Sequence, residues 1–198
     1  MPSKGRHFLS KFFYVIINPV ISFIESKVKF SPNWITFFGL LISIPSAYLY
    51  AIGKTAIASL VLTLSAIFDV MDGRIAQKQG KITKFGGFLD STLDRFVELF
   101  VFIGFTYLYL NEGREVFSYI SIIYITGSFL TSYTRAKIES YGEKGGVGLI
   151  QRFERLFVII ISGLFGKKVL FWGITIIAFL SYITVFYRIY YAYKVLKD

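Results

Sequence analysis

Long apolar runs limit what this chain can fold into. A helix needs about 20 mostly apolar residues to cross a hydrocarbon core. Six stretches approach that length, at roughly 33–52, 55–77, 86–110, 116–137, 150–165 and 169–190. Mean hydropathy is +0.60 and 55% of the 198 residues are hydrophobic, beyond what an ordinary soluble domain carries. The predicted fold class is an all-α integral membrane protein with six transmembrane helices.

Residues 1–30 read differently. Lys4, Arg6 and Lys11 alternate with Phe8, Leu9, Phe12 and Phe13, the pattern of an amphipathic helix lying in the membrane interface. Asn18, Pro19 and Glu25 argue against a seventh span. The segment lacks a small-residue cleavage site, so it is expected to be retained rather than removed as a signal peptide. The expected organisation is an amphipathic juxtamembrane helix over 1–30 and one six-helix domain over 31–198. No internal repeat or soluble linker interrupts it.

Basic residues set the expected orientation. With a cytoplasmic N-terminus and six spans, every Lys and Arg except Lys54, Arg114, Lys167 and Lys168 falls on the inner side. That bias predicts both termini in the cytoplasm and a multi-pass protein of the cell membrane. The net charge of +10 suits anionic membrane lipids or a phosphorylated substrate. Nucleic acid is not expected as a partner, because the basic residues lie between apolar spans. Cysteine is absent, which excludes disulfides and thiolate metal sites, and the sole histidine, His7 near the N-terminus, argues against histidine-based catalysis or a histidine-ligated metal.

Against this background the acidic residues are unevenly placed. Of the five aspartates, Asp69, Asp72, Asp90 and Asp94 fall within one short stretch, "FDVMDGRIAQKQGKITKFGGFLDSTLDRF". Asp69 and Asp72 are three apart and Asp90 and Asp94 four apart, so each pair shares a helix face. Gly73 and Gly86 would let the two helix backbones approach closely as antiparallel neighbours. One Asp at a helix centre costs about 2.5–3.5 kcal/mol on insertion scales, and clustering adds repulsion. Two divalent cations would relieve both costs, and oxygen ligands alone select Mg²⁺, Mn²⁺ or Ca²⁺. A pair of ions so held supports phosphoryl displacement. Salt bridges to Arg74 and Arg95, or an ion path through a transporter, are the other readings of the spacing.

The stretch resembles the signature of the CDP-alcohol phosphatidyltransferase family, D-x-x-D-G-x-x-A-R, eight residues, then G-x-x-x-D-x-x-x-D. Asp69, Asp72, Gly73, Ala76, Gly86, Asp90 and Asp94 occupy matching positions, and only Gln77 departs, where the family carries Arg. Arg74 or Lys78 could compensate. The resemblance implies two divalent ions, Mg²⁺ or Mn²⁺, held by Asp69, Asp72, Asp90 and Asp94, with Asp94 also the general base. It implies a CDP-linked lipid held by Asn33, Thr36, Asp69, Asp72, Gly73, Arg74, Ala76, Gln77, Thr83 and Gly86, and a homodimeric assembly.

The acceptor alcohol is read from "SYTRAKIESYGEKGGVGLIQRFER". Ser132, Arg135, Arg152 and Arg155 would return to the aspartates' side of the membrane, with Arg188 joining from the last span. Arginines there can snorkel to head groups, but several converging suit a phosphate monoester, which guanidinium binds in bidentate fashion. "LDSTLDR", "SYTRAK" and "RFER" resemble the phosphatidylinositol phosphate synthase branch and its archaeal ether-lipid counterparts, implying inositol 1-phosphate as acceptor. Glycerol 3-phosphate is the alternative acceptor, and a carboxylate-lined cation transporter the alternative from another class.

Overall fold

A computed structural model describes residues 31–197. The interfacial helix expected over residues 1–30 lies outside the described residues, as does Asp198. Among the described residues all regular structure is helical: α1 (Pro32–Ala51), α2 (Thr55–Lys78), α3 (Lys84–Asn111), α4 (Glu115–Ser140), α5 (Arg152–Leu164) and α6 (Lys167–Val195).

Local chemistry explains several boundaries. Pro32 opens α1, where its missing N–H costs nothing. Thr83 caps α3 by accepting the Gly86 N–H at 2.9 Å. Ahead of α5, the Glu154 carboxylate accepts the Gln151 N–H at 3.0 Å, the reciprocal half of a capping box.

Four helices, α1, α2, α4 and α6, are long and apolar enough to cross a membrane. Helix α3 has 28 residues but carries Asp90, Asp94, Arg95 and Glu98 within its first fifteen. The stretch expected to span at 150–165 forms the 13-residue α5, about 20 Å long at 1.5 Å per residue, against a hydrocarbon core of about 30 Å. The glycines at 142, 145, 146 and 148 keep the preceding chain irregular, and Arg152, Glu154 and Arg155 fill its first turn with charge.

The helices close into a ring in the order α2, α1, α3, α4, α6, α5. Helix α1 therefore lies between the two aspartate-bearing helices, which barely touch each other. This corrects the expectation that small residues would bring α2 and α3 together as direct neighbours. The small residues act instead at the seams with α1. Ser46 donates to the Ala58 carbonyl at 2.8 Å and Ser65 to the Gly39 carbonyl at 2.7 Å, and the Tyr50 and Ser59 hydroxyls pair at 2.8 Å. Such bonds and close backbone approach join helices where lipid offers no hydrophobic drive.

Tyr50, Leu62, Phe105, Tyr124, Ile159 and Ile174 form the centre of the packed interior. Outward-facing Leu60, Leu64, Ile103, Trp172 and Phe179 are more than half exposed, an apolar belt suited to acyl chains.

The α1–α3 seam can be tested at Gly104. A Cβ there would lie 3.0 Å from the Ala47 carbonyl carbon and 3.1 Å from its Cα, so α1 would have to move. Overpacking of this kind costs about 1–3 kcal/mol. Gly104→Ala should lower the unfolding temperature in detergent by several degrees, and an unchanged temperature would show that this seam yields freely.

Candidate active site

The end of α2 and the start of α3 deliver their aspartates to one place. Carboxylate oxygens of Asp69, Asp90 and Asp94 lie within 4.8 Å of one another. Asp72 stands outside that trio, 5% exposed, with its buried Oδ2 lacking a hydrogen-bond partner. An orphaned carboxylate oxygen beside three converging carboxylates fits oxygen-ligated divalent cations and leaves no role for a soft metal.

Two cavities open on this cluster. The first, about 200 Å³, lies against α1 and is lined by Asn33, Thr36, Asp72, Gly73, Ala76, Gln77, Thr83 and Gly86. It gathers every residue expected for the CDP-lipid except Asp69 and Arg74, with Asp69 in the adjoining carboxylate trio. A Cβ at Gly73 would meet nothing within 4 Å, whereas one at Gly86 would approach Thr83 Oγ1 at 3.0 Å and Asn33 Oδ1 at 3.5 Å. These glycines keep the cleft open. Neither Arg74 nor Lys78 lines it, and among the described residues the cation that does is Lys81, which the signature did not single out.

The second cavity, about 640 Å³, runs between α3, α4, α5 and α6. Ser132, Arg135, Arg152, Arg155 and Arg188 all line it, as do Asp90, Asp94 and Arg95. Gly87 and Asp90 line both cavities. The two spaces therefore meet at the carboxylates.

The arginines have distinct partners. Arg152 Nη1 donates to both oxygens of Asp69, at 3.0 and 3.1 Å, and its Nη2 pairs with Asp94. Its guanidinium thus supplies counter-charge to two of the clustered carboxylates while facing the larger cavity. Arg155 is 1% exposed; it donates to Glu98 Oε1 from Nη2 at 2.9 Å and from Nε at 3.3 Å, and to Thr131 Oγ1 at 3.0 Å. Arg188 donates from Nε to the Val147 carbonyl at 2.7 Å and from Nη1 to the Thr131 carbonyl, tying the 141–151 loop to α4. Arg135 pairs with Glu139 at 2.9 Å at the rim.

Arg95 and Glu98 escaped the sequence reading of the pocket, where Arg95 figured only as a salt-bridge partner. Arg95 Nη1 donates to Ser132 Oγ, and its Nε lies 3.5 Å from Glu98 Oε2. The available signal was spacing, since Glu98 follows Asp94 by four residues on the same helical face.

Comparison with known proteins bears on this arrangement. The sequence profile described as CDP-alcohol phosphatidyltransferase matches residues 29–189. Archaetidylinositol phosphate synthase of Pyrococcus horikoshii is 33% identical over 87% of this chain and 88% of its own. The Methanothermobacter thermautotrophicus protein of the same name is 31% identical over 100% of both. Among solved structures, Mycobacterium tuberculosis phosphatidylinositol phosphate synthase with CDP-DAG bound superimposes with a TM-score of 0.81 at 27% identity, covering 92% of this chain and 97% of that one. The same synthase in complex with manganese and citrate also gives 0.81, covering 91% of each.

Arg152 competes with any divalent cation for Asp69 and Asp94. A unit charge at about 4 Å contributes about 4 kcal/mol at an effective dielectric of 20, of which a tenfold change in affinity requires only about 1.4. Arg152→Gln should therefore bind Mn²⁺ about tenfold or more tightly in an electron paramagnetic resonance titration without substrates. Equal or weaker binding would show that the guanidinium does not guard these carboxylates.

Proposed function

The chain belongs to the CDP-alcohol phosphatidyltransferase family, and on that premise we propose that it moves the phosphatidyl group of a CDP-linked lipid onto a hydroxyl of inositol 1-phosphate, releasing CMP. The observation that carries this reading is the junction of two cavities at Asp90, one suited to a nucleotide head group and the other rich in arginine. A donor and a phosphorylated acceptor would be held apart until they meet at the carboxylates.

Each residue follows from its place. Asn33, Thr36, Gln77 and Thr83 offer hydrogen bonds to the cytidine and sugar, and Gly73, Ala76 and Gly86 leave room for them. Asp69, Asp72, Asp90 and Asp94 would hold two Mg²⁺ or Mn²⁺ ions, which when bound neutralise the diphosphate and ease departure of CMP. Asp94 lines the acceptor cavity and takes the proton from the attacking hydroxyl. The hydroxyl oxygen then bonds to the phosphorus bearing the lipid, and the bond from that phosphorus to the CMP oxygen breaks. Ser132, Arg135, Arg152, Arg155 and Arg188 bind the acceptor phosphate, joined by Arg95. Lys81 takes the part of the arginine that Gln77 replaces. Six spans, cytoplasmic termini, a site facing the cytoplasm and a homodimer belong to the same reading; the gathering of basic residues at the aspartate end supports the orientation, and the homodimer is what the family resemblance implies.

The test is a competition. Purified protein would receive CDP-diacylglycerol, Mg²⁺ and equal inositol 1-phosphate and glycerol 3-phosphate, with the lipid product read by mass. Phosphatidylinositol phosphate should dominate, EDTA should abolish turnover, and Asp90→Asn should be inactive yet folded. Mainly phosphatidylglycerol phosphate would overturn the acceptor, and undiminished product in EDTA would overturn the metals.

The smaller cleft yields a further expectation. A lost charge-assisted contact costs about 1.5–3 kcal/mol, so Lys81→Ala should raise the KM for CDP-diacylglycerol by roughly ten- to a hundredfold. Gln77→Arg should be tolerated. An unaffected Lys81→Ala would place the diphosphate contact elsewhere.

A further inference from the structure

We propose that Glu98, which lies behind the wall of the larger cavity, is a positioning residue that fixes the direction of two acceptor-facing guanidinium groups. The inference rests on the reading of that cavity as the acceptor site. Glu98 is 2% exposed and does not line the cavity, but Arg95 and Arg155 do.

Two of the three partners of this carboxylate, Arg95 and Arg155, line the cavity. Oε1 accepts from Arg155 Nη2 and Nε at 2.9 and 3.3 Å. Oε2 accepts from Ser128 at 2.7 Å and lies 3.5 Å from Arg95 Nε. Arg95 then reaches Ser132 through Nη1, and its Nη2 lies 4.0 Å from Asp94 Oδ2. Arg155 reaches Thr131 at 3.0 Å. One buried anion therefore orients two cations, and through them two hydroxyl groups of α4 that line the same space.

Placement explains why an acid serves here. Asp90, Asp94 and Glu139 already line the cavity, and a further carboxylate exposed there would add to the repulsion of a phosphate. Behind the guanidinium groups Glu98 accepts two N–H donors of Arg155 and lies within ion-pair distance of Arg95 Nε, while both arginines line the cavity. Two cations against one anion leave one positive charge over, which suits a phosphate monoester. A planar donor fork gives bidentate recognition only while its plane is held.

Charge alone and positioning predict opposite signs. Removing the anion raises the positive potential and by charge alone would tighten a phosphate. If Glu98 acts by orientation, Glu98→Gln should raise the KM for inositol 1-phosphate by roughly tenfold. The KM for CDP-diacylglycerol, bound in the other cavity, should stay within about twofold. Glu98→Asp, which keeps the charge, should recover part of the loss. Ser128→Ala, which removes one bond to Glu98, should shift the acceptor KM in the same direction by a smaller factor, and it decides the matter if Glu98→Gln does not fold.

An unchanged or lowered acceptor KM would overturn the proposal. So would a rise in both KM values together with a lowered unfolding temperature, the mark of a structural role. Wild-type protein that fails to use inositol 1-phosphate would instead remove the reading of the reaction. Wild-type turnover with acceptor KM values insensitive to Glu98→Gln, or to Ser128→Ala if that variant does not fold, would remove only the positioning role.

Discussion

Repulsion among carboxylates at the edge of a low-dielectric medium is the force around which this protein is arranged. Asp69, Asp90 and Asp94 bring oxygens within 4.8 Å of one another, and each unit of like charge at such a distance opposes folding. The ring of helices answers with cations on the opposite wall. Arg152 reaches across from α5 to Asp69 and Asp94, so the shortest helix supplies the counter-charge that the two aspartate helices lack. Its position depends on the irregular 141–151 segment, which Arg188 and Thr184 hold against α6 through the Val147 carbonyl and the Ile150 N–H. A loop that reads as mere connection is what sets a guanidinium among the acids.

The wedge of α1 between α2 and α3 has the same logic. Two acidic helices packed directly together would leave no room at their mouth. With α1 inserted, Pro32, Asn33 and Thr36 at its start wall a cleft opposite Gly73 and Gly86. Deeper in the ring the same helix is tightly bound, by Ser46 and Tyr50 to α2 and by backbone approach at Gly104 to α3. Rigid seams below and an open cleft above let one helix serve both packing and binding.

Much of this could be read from the residues, and what could not has a physical cause. Hydropathy located all six helices because apolar runs report burial or lipid contact, and the i, i+3 and i, i+4 spacings placed the aspartates on common faces. Length is harder to read than location. The 150–165 run is mostly apolar in its second half, yet glycines upstream and three charged residues at its start shorten the helix to 13 residues. Neighbour relations were less legible still. A short polar turn between α2 and α3 suggests direct packing, but which helix fills a seam depends on Gly104 meeting Ala47, a pairing across more than fifty residues that no local pattern shows.

The arginines show where type and spacing stop being informative. Arg135, Arg152, Arg155 and Arg188 look equivalent as sequence, four cations returning to one mouth. In the structure Arg152 pairs with the aspartates, Arg155 with a buried glutamate, Arg188 with backbone carbonyls, and Arg135 with Glu139 at the rim. Burial grades them further: breaking a buried pair such as Arg155–Glu98 costs about 3–5 kcal/mol, whereas an exposed pair such as Arg135–Glu139 contributes about 0–1 kcal/mol. Arg135 is therefore the cation most easily diverted to an incoming phosphate, while Arg155 meets it in a fixed pose. A pocket with one mobile and one fixed guanidinium can capture a ligand at its rim and orient it at its base, and that gradient follows from where Glu98 and Glu139 lie along their helices.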